Sequence, residues 1–370
     1  MRLAIVNWYT RSVGGIATRL NTYRRAAMQV GDSCDILLSK CLKTGPQLFS
    51  ERKWVYGGDT RIWIDGYVPH GERVQESIDF INSNYDAVCF GFLCPHPCPS
   101  VKEPRFLELL QGIKLPMGAF ISDGFWDKYA EWGKLCLPYL NGIAAPVQSY
   151  ADTLKGVADV QVIPFPFIPI KGEPVARSKR PLVVWPHQWK NIKGINEFLS
   201  IVPQLKPHIQ VELYSSGIRY YQLRTTDIWK NAVGEDTFSQ YNGTGRAIYL
   251  ANVDLPRIAD AYQRAWFTVS LQGMKSKKEA YKTGSYNNSE VESFYYGACS
   301  VLHESTLNTI LPQDCYIAVK DETEIPDAIH EAIKSGFALD PERIKRAREF
   351  VRRTHWGVNK YKQLKNLILS

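Results

Sequence analysis

The chain has 370 residues, 45 Lys and Arg against 37 Asp and Glu, and a net charge of +8. A hydrophobic share of 45% with 12% aromatics belongs to a globular protein, and the length exceeds one ordinary core, so two domains are expected. No segment is long and clean enough to span a bilayer. The basic balance favours an anionic partner, whether nucleic acid, anionic lipid or nucleotide phosphate, without choosing among them.

Residues 1–6, MRLAIV, read as a strand rather than a leader, because Asn7, Tyr9 and Arg11 follow at once. Eight cysteines in such a chain read as reduced thiols, and the expected location is the cytoplasm. A polar loop from Asn7 to Gly15 then leads to a helix over about 16–30 and a strand at Ile36-Leu37-Leu38. This is a βαβ opening without the dinucleotide fingerprint, since Gly14-Gly15 lacks the third glycine. Two adjacent glycines at a strand-to-helix turn let backbone approach a ligand, though a tight turn alone also explains them.

A hairpin is expected around Gly57-Gly58-Asp59, between Trp54-Val55-Tyr56 and Ile62-Trp63-Ile64. Strand-like runs at 87–93 and 118–122 flank a helix near 101–111, and further runs at 142–145 and 160–163 close the half. The proline-rich stretch 164–181 reads as a linker. The second half restarts at Leu182-Val183-Val184, with a helix over 194–202, strands at 211–214 and 247–250, a helix over 255–265 and a strand at 267–271. Alternating strands and helices argue for largely parallel sheets. The domains are set at 1–165 and 181–345, with a linker over 166–180 and a final helix in 346–370 crossing back to the first domain.

Residues 286–304, YNNSEVESFYYGACSVLHE, organise the second half. They read as a polar loop, a helix with an anionic first turn, then Gly297 and a buried strand. Such a helix start beside the carboxyl ends of parallel strands is a common ligand site. Its carboxylates accept hydrogen bonds from sugar hydroxyls, and its free N–H groups meet phosphate.

Three motifs together resemble the GT-B glycosyltransferases, two Rossmann-like domains facing across a cleft. The segment WPHQWKNIKGINEFL (185–199) is similar to the part of retaining family-4 enzymes where an Arg and a Lys grip the donor diphosphate. Lys193-Gly194 matches, the Arg position falls on Gln188, and Lys190 is the candidate replacement cation. Glu292, five residues before Gly297, matches the second acid of that family's glutamate pair, which contacts the nucleotide ribose. The first acid would fall on Gly284, so Glu290 or the loop Asn287-Asn288-Ser289 takes its work. Gly14-Gly15 matches the glycine turn of the first domain.

Within that superfamily the pattern is similar to the DNA α-glucosyltransferases of T-even phages. Asp123, in FISDGFWDKY, stands where they carry an acid beside a His, and Ser122 replaces the His. The resemblance implies a nucleotide-sugar co-substrate, UDP-glucose above all, no cofactor and no metal, and retention at the sugar carbon. Lys190 and Lys193 would neutralise the leaving diphosphate. Asp123 would orient or deprotonate the acceptor hydroxyl, unless it is only a turn residue before Gly124. A hydroxymethylated pyrimidine flipped from duplex DNA is the first acceptor reading, with Trp8, Arg11, Ser122 and Phe125 against it. Arg11, Arg19, Arg24 and Arg25 are the candidates for its phosphates.

Alternatives stay open. A glycan or lipid-linked acceptor would put the basic first domain at a membrane surface, and a non-catalytic nucleotide- or DNA-binding protein would keep the fold without the chemistry. The Cys94, His96 and Cys98 loop reads as a strand-end loop rather than a zinc site, since no second ligand pair is evident. The stretch 343–353, RIKRAREFVRR, reads as a solvated helix face. Oligomeric state has no signal.

Overall fold

The structure, a computed structural model, describes residues 1–7, 15–39, 51–53, 60–64, 73–91, 106–121, 134–170, 174–187, 194–215, 247–251, 255–271, 288–304 and 310–370. The chain forms two compact units, one of Met1–Ile168 with Trp356–Ser370, the other of Pro169–His355.

The first unit carries an eight-stranded sheet. In chain order its elements are β1 (Arg2–Asn7), α1 (Gly15–Gln29), β2 (Ser33–Ser39), β3 (Glu51–Lys53), β4 (Thr60–Ile64), α2 (Val74–Asn84) and β5 (Ala87–Phe90). They continue with α3 (Phe106–Gly112), β6 (Met117–Phe120), β7 (Gly142–Ala145) and β8 (Val160–Val162). The spatial order is β3-β4-β2-β1-β5-β6-β7-β8, parallel except for the β3/β4 pair. Central strands are apolar along their length because helices cover both faces; Leu3 to Val6 and Ala87 to Phe90 are all fully buried. The expected hairpin is present as the antiparallel pair Glu51–Lys53 with Thr60–Ile64. Its first strand precedes Trp54-Val55-Tyr56, which lies outside the described residues.

The chain's last helix, numbered α9 in the full order and spanning Gly357–Leu369, belongs to this unit and packs on α1 and the ends of β5, β6 and β7. Two glycines make its seat. A Cβ on Gly118 would lie 2.6 Å from Ile368 Cγ1, and one on Gly142 would lie 2.6 Å from the Leu367 carbonyl oxygen. Real Cβ atoms do not approach so closely, so a side chain at Gly118 must push Ile368 aside and one at Gly142 meets the backbone of the helix itself. Tyr361, Leu364 and Ile368 enter the same core as Leu3, Ile5, Phe120 and Ala144. A polar pin completes the seat. The Tyr361 hydroxyl and Lys365 Nζ donate to Asp32 Oδ2 at 2.9 and 2.7 Å, and the amino terminus donates to Oδ1 at 2.9 Å. Burial alone would raise the Asp32 pKa; the bonds from Lys365, the amino terminus and Tyr361 outweigh it and hold the carboxyl at about 2.

The second unit is a six-stranded, all-parallel sheet in the order β11-β10-β9-β12-β13-β14. Its strands are β9 (Leu182–Trp185), β10 (Gln210–Ser215), β11 (Ala247–Ala251), β12 (Phe267–Ser270), β13 (Cys299–His303) and β14 (Tyr316–Val319). Its helices are α4 (Ile195–Ile201), α5 (Leu255–Arg264), α6 (Asn288–Tyr296), α7 (Ile325–Lys334) and α8 (Pro341–His355). From α4 and α7, Ile195, Phe198, Ile325 and Ile329 share one core with Val183, Trp185, Val269 and Val301. Leu182, Val184 and Tyr214 share a second core with Ala261 of α5 and with Ala265; α6 packs on α5 and α8.

Candidate functional site

Strand order locates the site in the second unit. The chain builds β9, then β10 and β11 to one side, then returns to lay β12, β13 and β14 on the other. That reversal is a topological switch point between β9 and β12. In open α/β sheets, ligands bind there, outside the carboxyl ends of the strands.

The segments that leave these strands carry the site. Two residues after β9 comes His187, 6% exposed, its ring edge-on to Trp185 at 5.1 Å. Gly194 precedes α4 at φ +77°, a conformation glycine adopts without penalty. A Cβ there would lie 2.5 Å from the Cβ of Leu271, so the start of α4 sits directly on the residue after β12. The last residue of β12, Ser270, is buried and its hydroxyl closes no hydrogen bond. By strand alternation it shares a face with Thr268, the face that carries α6.

Helix α6 brings Asn288, Ser289, Glu290 and Glu292 to the same place. Ser289 Oγ lies 3.3 Å from His187 Nδ1 and donates to Glu290 Oε2 at 3.3 Å, so the exit of β9 and the start of α6 touch. Glu290 is 1% exposed and stands in the first turn, where the helix dipole favours an anion. Glu292 is half-buried. Burial pushes its carboxyl up to about 7; the nearby Tyr262 hydroxyl lowers it and the Glu290 charge raises it. Tyr262 is buried, with its hydroxyl against the Glu292 carboxyl. Its ring stacks parallel to Tyr296, 6.2 Å away. The arrangement offers two carboxylates, a serine hydroxyl and an imidazole at one strand-end crevice. Such groups accept and donate hydrogen bonds to vicinal hydroxyls.

The structure thus brings together Asn288, Ser289, Glu290 and Glu292, and adds His187, Tyr262 and Ser270, which no motif had singled out. His187 could have been found, since it stands in the same short segment as Gln188 and Lys190. Gln188, Lys190, Lys193, Gly14, Trp8, Arg11, Ser122, Asp123 and Phe125, and the loop 94–98, lie outside the described residues. Gly15 opens α1. One expectation is corrected. Arg19 is no phosphate ligand: it is 2% exposed, donates to the Gly91 carbonyl at 3.0 Å and lies over the Phe120 ring at 4.6 Å. Arg25 reaches the Ile168 carbonyl at 3.4 Å. Among the described residues no group of three or more His, Cys, Asp or Glu is placed to hold a metal ion, and no helix is long and apolar enough to cross a membrane.

Neither the protein-family models nor the curated proteins gave a match. Solved structures did. The chain is similar over its whole length to an alpha-glucosyltransferase in complex with UDP-glucose and DNA containing an abasic site, with 14% identity, a TM-score of 0.71 and all of that chain covered. The fold is GT-B. Sucrose-phosphate synthase from Thermosynechococcus elongatus shares it at 13% identity and a TM-score of 0.67, with 99% of this chain and 98% of that chain covered. Anabaena HepE in complex with UDP-glucose shares it at 10% identity and a TM-score of 0.67, with 100% and 99% covered. What these chains have in common with this GT-B protein is the architecture of both α/β units.

Proposed function

We propose that this protein is a glycosyltransferase that moves a sugar from a UDP-sugar to a hydroxyl acceptor. The observation that carries the reading is the start of α6 at the switch point, where Ser289 meets His187 beside Glu290 and Glu292. Structures of the same fold that hold UDP or UDP-glucose support it. Glu290 and Glu292 accept hydrogen bonds from the ribose and sugar hydroxyls, and the buried hydroxyl of Ser270 is a candidate to be satisfied by the same ligand. Lys190 and Lys193, on the segment between β9 and α4, supply the positive charge that a departing diphosphate requires. Gln188 and Asn288 complete the donor contacts, and Gly14-Gly15 lets backbone approach the ligand. Asp123 orients or deprotonates the acceptor hydroxyl. With no separate nucleophile assigned, the reaction proceeds with same-face attack through an oxocarbenium-like state and retention, the leaving phosphate taking the acceptor proton where Asp123 only orients the hydroxyl.

The acceptor we favour is a hydroxymethylated pyrimidine in DNA, with Trp8, Arg11, Ser122 and Phe125 as its contacts. Three observations support it: the net charge of +8, the motif resemblance, and several DNA-bound structures among those of the same fold. The sucrose-phosphate synthase and HepE likenesses, at nearly the same TM-score, favour a second reading with a smaller or glycan acceptor. Transfer of label from a panel of nucleotide sugars decides between them, with hydroxymethylated DNA, unmodified DNA, sugar phosphates and a lipid-linked acceptor in parallel. Label in modified DNA alone establishes the first reading. Label only in another acceptor replaces it, and no binding of any uridine nucleotide removes the UDP-sugar reading.

A further inference from the structure

Helix α6 is held by an unusual set of polar contacts at its far end and along its buried face. Its carboxyl terminus is enclosed by three guanidinium groups. Arg348 Nε donates to the Tyr295 carbonyl at 2.9 Å and Arg177 Nη2 to the Tyr296 carbonyl at 2.9 Å. Arg343, fully buried, spends its donors on five carbonyls: Phe337, Ala298, Cys315, Gly297 and Ala338, at 2.8–3.4 Å. Two of those, Gly297 and Ala298, directly follow the helix. Gly297, at φ +86°, ends it with its own N–H on the Ser293 carbonyl at 2.9 Å, and a Cβ there would press on Arg177 and Ile344.

Gathering three cations has a cost. Burial first, then the charges of Arg343 and Arg348, pull the Arg177 pKa down to about 10. The negative end of the helix and its orphan carbonyls offset that repulsion. Along the buried face, Thr268 of β12, Ser293 of α6 and Ser300 of β13 form a closed triangle of hydroxyls, with Oγ1···Oγ 2.6 and 3.2 Å from Thr268 and 3.0 Å between the serines. Apolar packing sets how strongly a helix adheres but leaves its rotation and axial height soft, whereas hydrogen bonds are directional.

We infer that Arg343 and the Thr268–Ser293–Ser300 triangle are positioning residues that fix the rotation and height of α6, and so the aim of Ser289, Glu290 and Glu292 at the switch point. The inference rests on the nucleotide-sugar reading of that site. None of the four touches the ligand in this scheme; each acts through the helix.

The test keeps the two readings apart. UDP affinity of the wild-type chain is measured first by calorimetry, and it alone judges the nucleotide reading. Arg343→Lys keeps the charge but cannot serve five carbonyls, and should weaken UDP about tenfold. The triple variant Thr268→Val, Ser293→Ala, Ser300→Ala removes all three hydroxyls together, which leaves none of the three unpaired and costs little stability; it should still weaken UDP about fivefold. Ile329→Ala on α7 serves as a control with a comparable or larger loss of Tm, and its UDP affinity should stay within twofold of wild type. Equal loss of affinity in control and variants overturns the inference, as does wild-type affinity in both variants. If Arg343→Lys does not fold, the triple variant decides alone. If the wild type binds no UDP, the Glu292 carboxyl titration in the unliganded triple variant decides, by NMR: a midpoint moved from that of wild type sustains the inference and an unchanged one ends it.

Discussion

Two helices of this chain are seated in opposite ways. Helix α9 lies on glycines and enters an apolar core through Tyr361, Leu364 and Ile368, with one carboxylate, Asp32, pinning it. Helix α6 is held by hydroxyls and guanidinium groups and carries the candidate site at its start. The first needs only to stay attached, and burial of area supplies that without regard to angle. The second has to aim side chains, which calls for contacts that fail when the helix turns by a few degrees.

The contrast can be broken at either helix, and the largest effect is expected under α9. Gly142→Val places branched carbon against the Leu367 backbone, where nothing flexible can yield. It should cost about 3 kcal/mol or more in denaturant melts; a loss below 1 kcal/mol would mean that the helix shifts freely on its seat. Asp32→Asn comes next. It leaves the Lys365 ammonium and the amino terminus without their carboxylate, and with Lys365 30% exposed the loss should be about 2 kcal/mol. Because the folded pKa of Asp32 lies below its ordinary 3.8, its contribution is complete above that value and disappears as pH falls towards about 2. The variant should therefore show a flatter stability profile across that acid window, read by thermal melts.

At α6 the expected effects are smaller in stability and larger in binding. The folded pKa of Glu292, about 7, lies above its ordinary 4.5, so the folded protein holds that proton more tightly. Its contribution to stability should be complete below pH 4.5 and be lost as pH rises through about 7. Hydroxyl donors from a nucleotide sugar prefer the ionised carboxylate, so UDP affinity should rise about tenfold between pH 6 and pH 8, with proton release on binding. Glu292→Gln should flatten both profiles, and calorimetry in buffers of different ionisation enthalpy measures the proton count. Ser300→Ala is the mildest: one hydroxyl leaves the triangle while Thr268 and Ser293 keep their 2.6 Å contact, so the cost should be about 1 kcal/mol or less. A larger loss would show that Ser300 carries more of the triangle than its distances suggest.

Much of the fold was legible because parallel strands buried on both faces are written as continuous apolar runs. Leu182-Val183-Val184 is such a run, Cys299 to Leu302 is one broken only by Ser300, and both are strands. The start of α6 was legible for a different reason: an acid-rich turn before an apolar stretch and Gly297 is a local signal. The seat of that helix was not. Ser293 and Ser300 lie 25 and 32 residues after Thr268, on two further elements, and no local pattern joins the three. Arg343 was hidden in RIKRAREFVRR, where its charge made it one more solvated cation. Yet the signal was present, since Arg343, Ala347, Phe350 and Val351 recur at spacings of four, three and one, the buried stripe of a helix. Arg19 misled in the same way, a cation read by its charge and placed by its packing.

The route of the chain sets an order of events. Phe167 pairs with Trp356 in an isolated parallel bridge, and the Gly357 N–H donates to the Phe167 carbonyl at 2.8 Å, so the segment that departs from the first unit and the one that returns to it lie side by side. Everything between them is the second unit. On the ribosome, the second unit is made as one uninterrupted stretch, 169–355, whereas the first 168 residues wait with the glycine floor at Gly118 and Gly142 uncovered until α9 is made. Domains generally complete in the order they are synthesised; here the unit begun first is the one finished last.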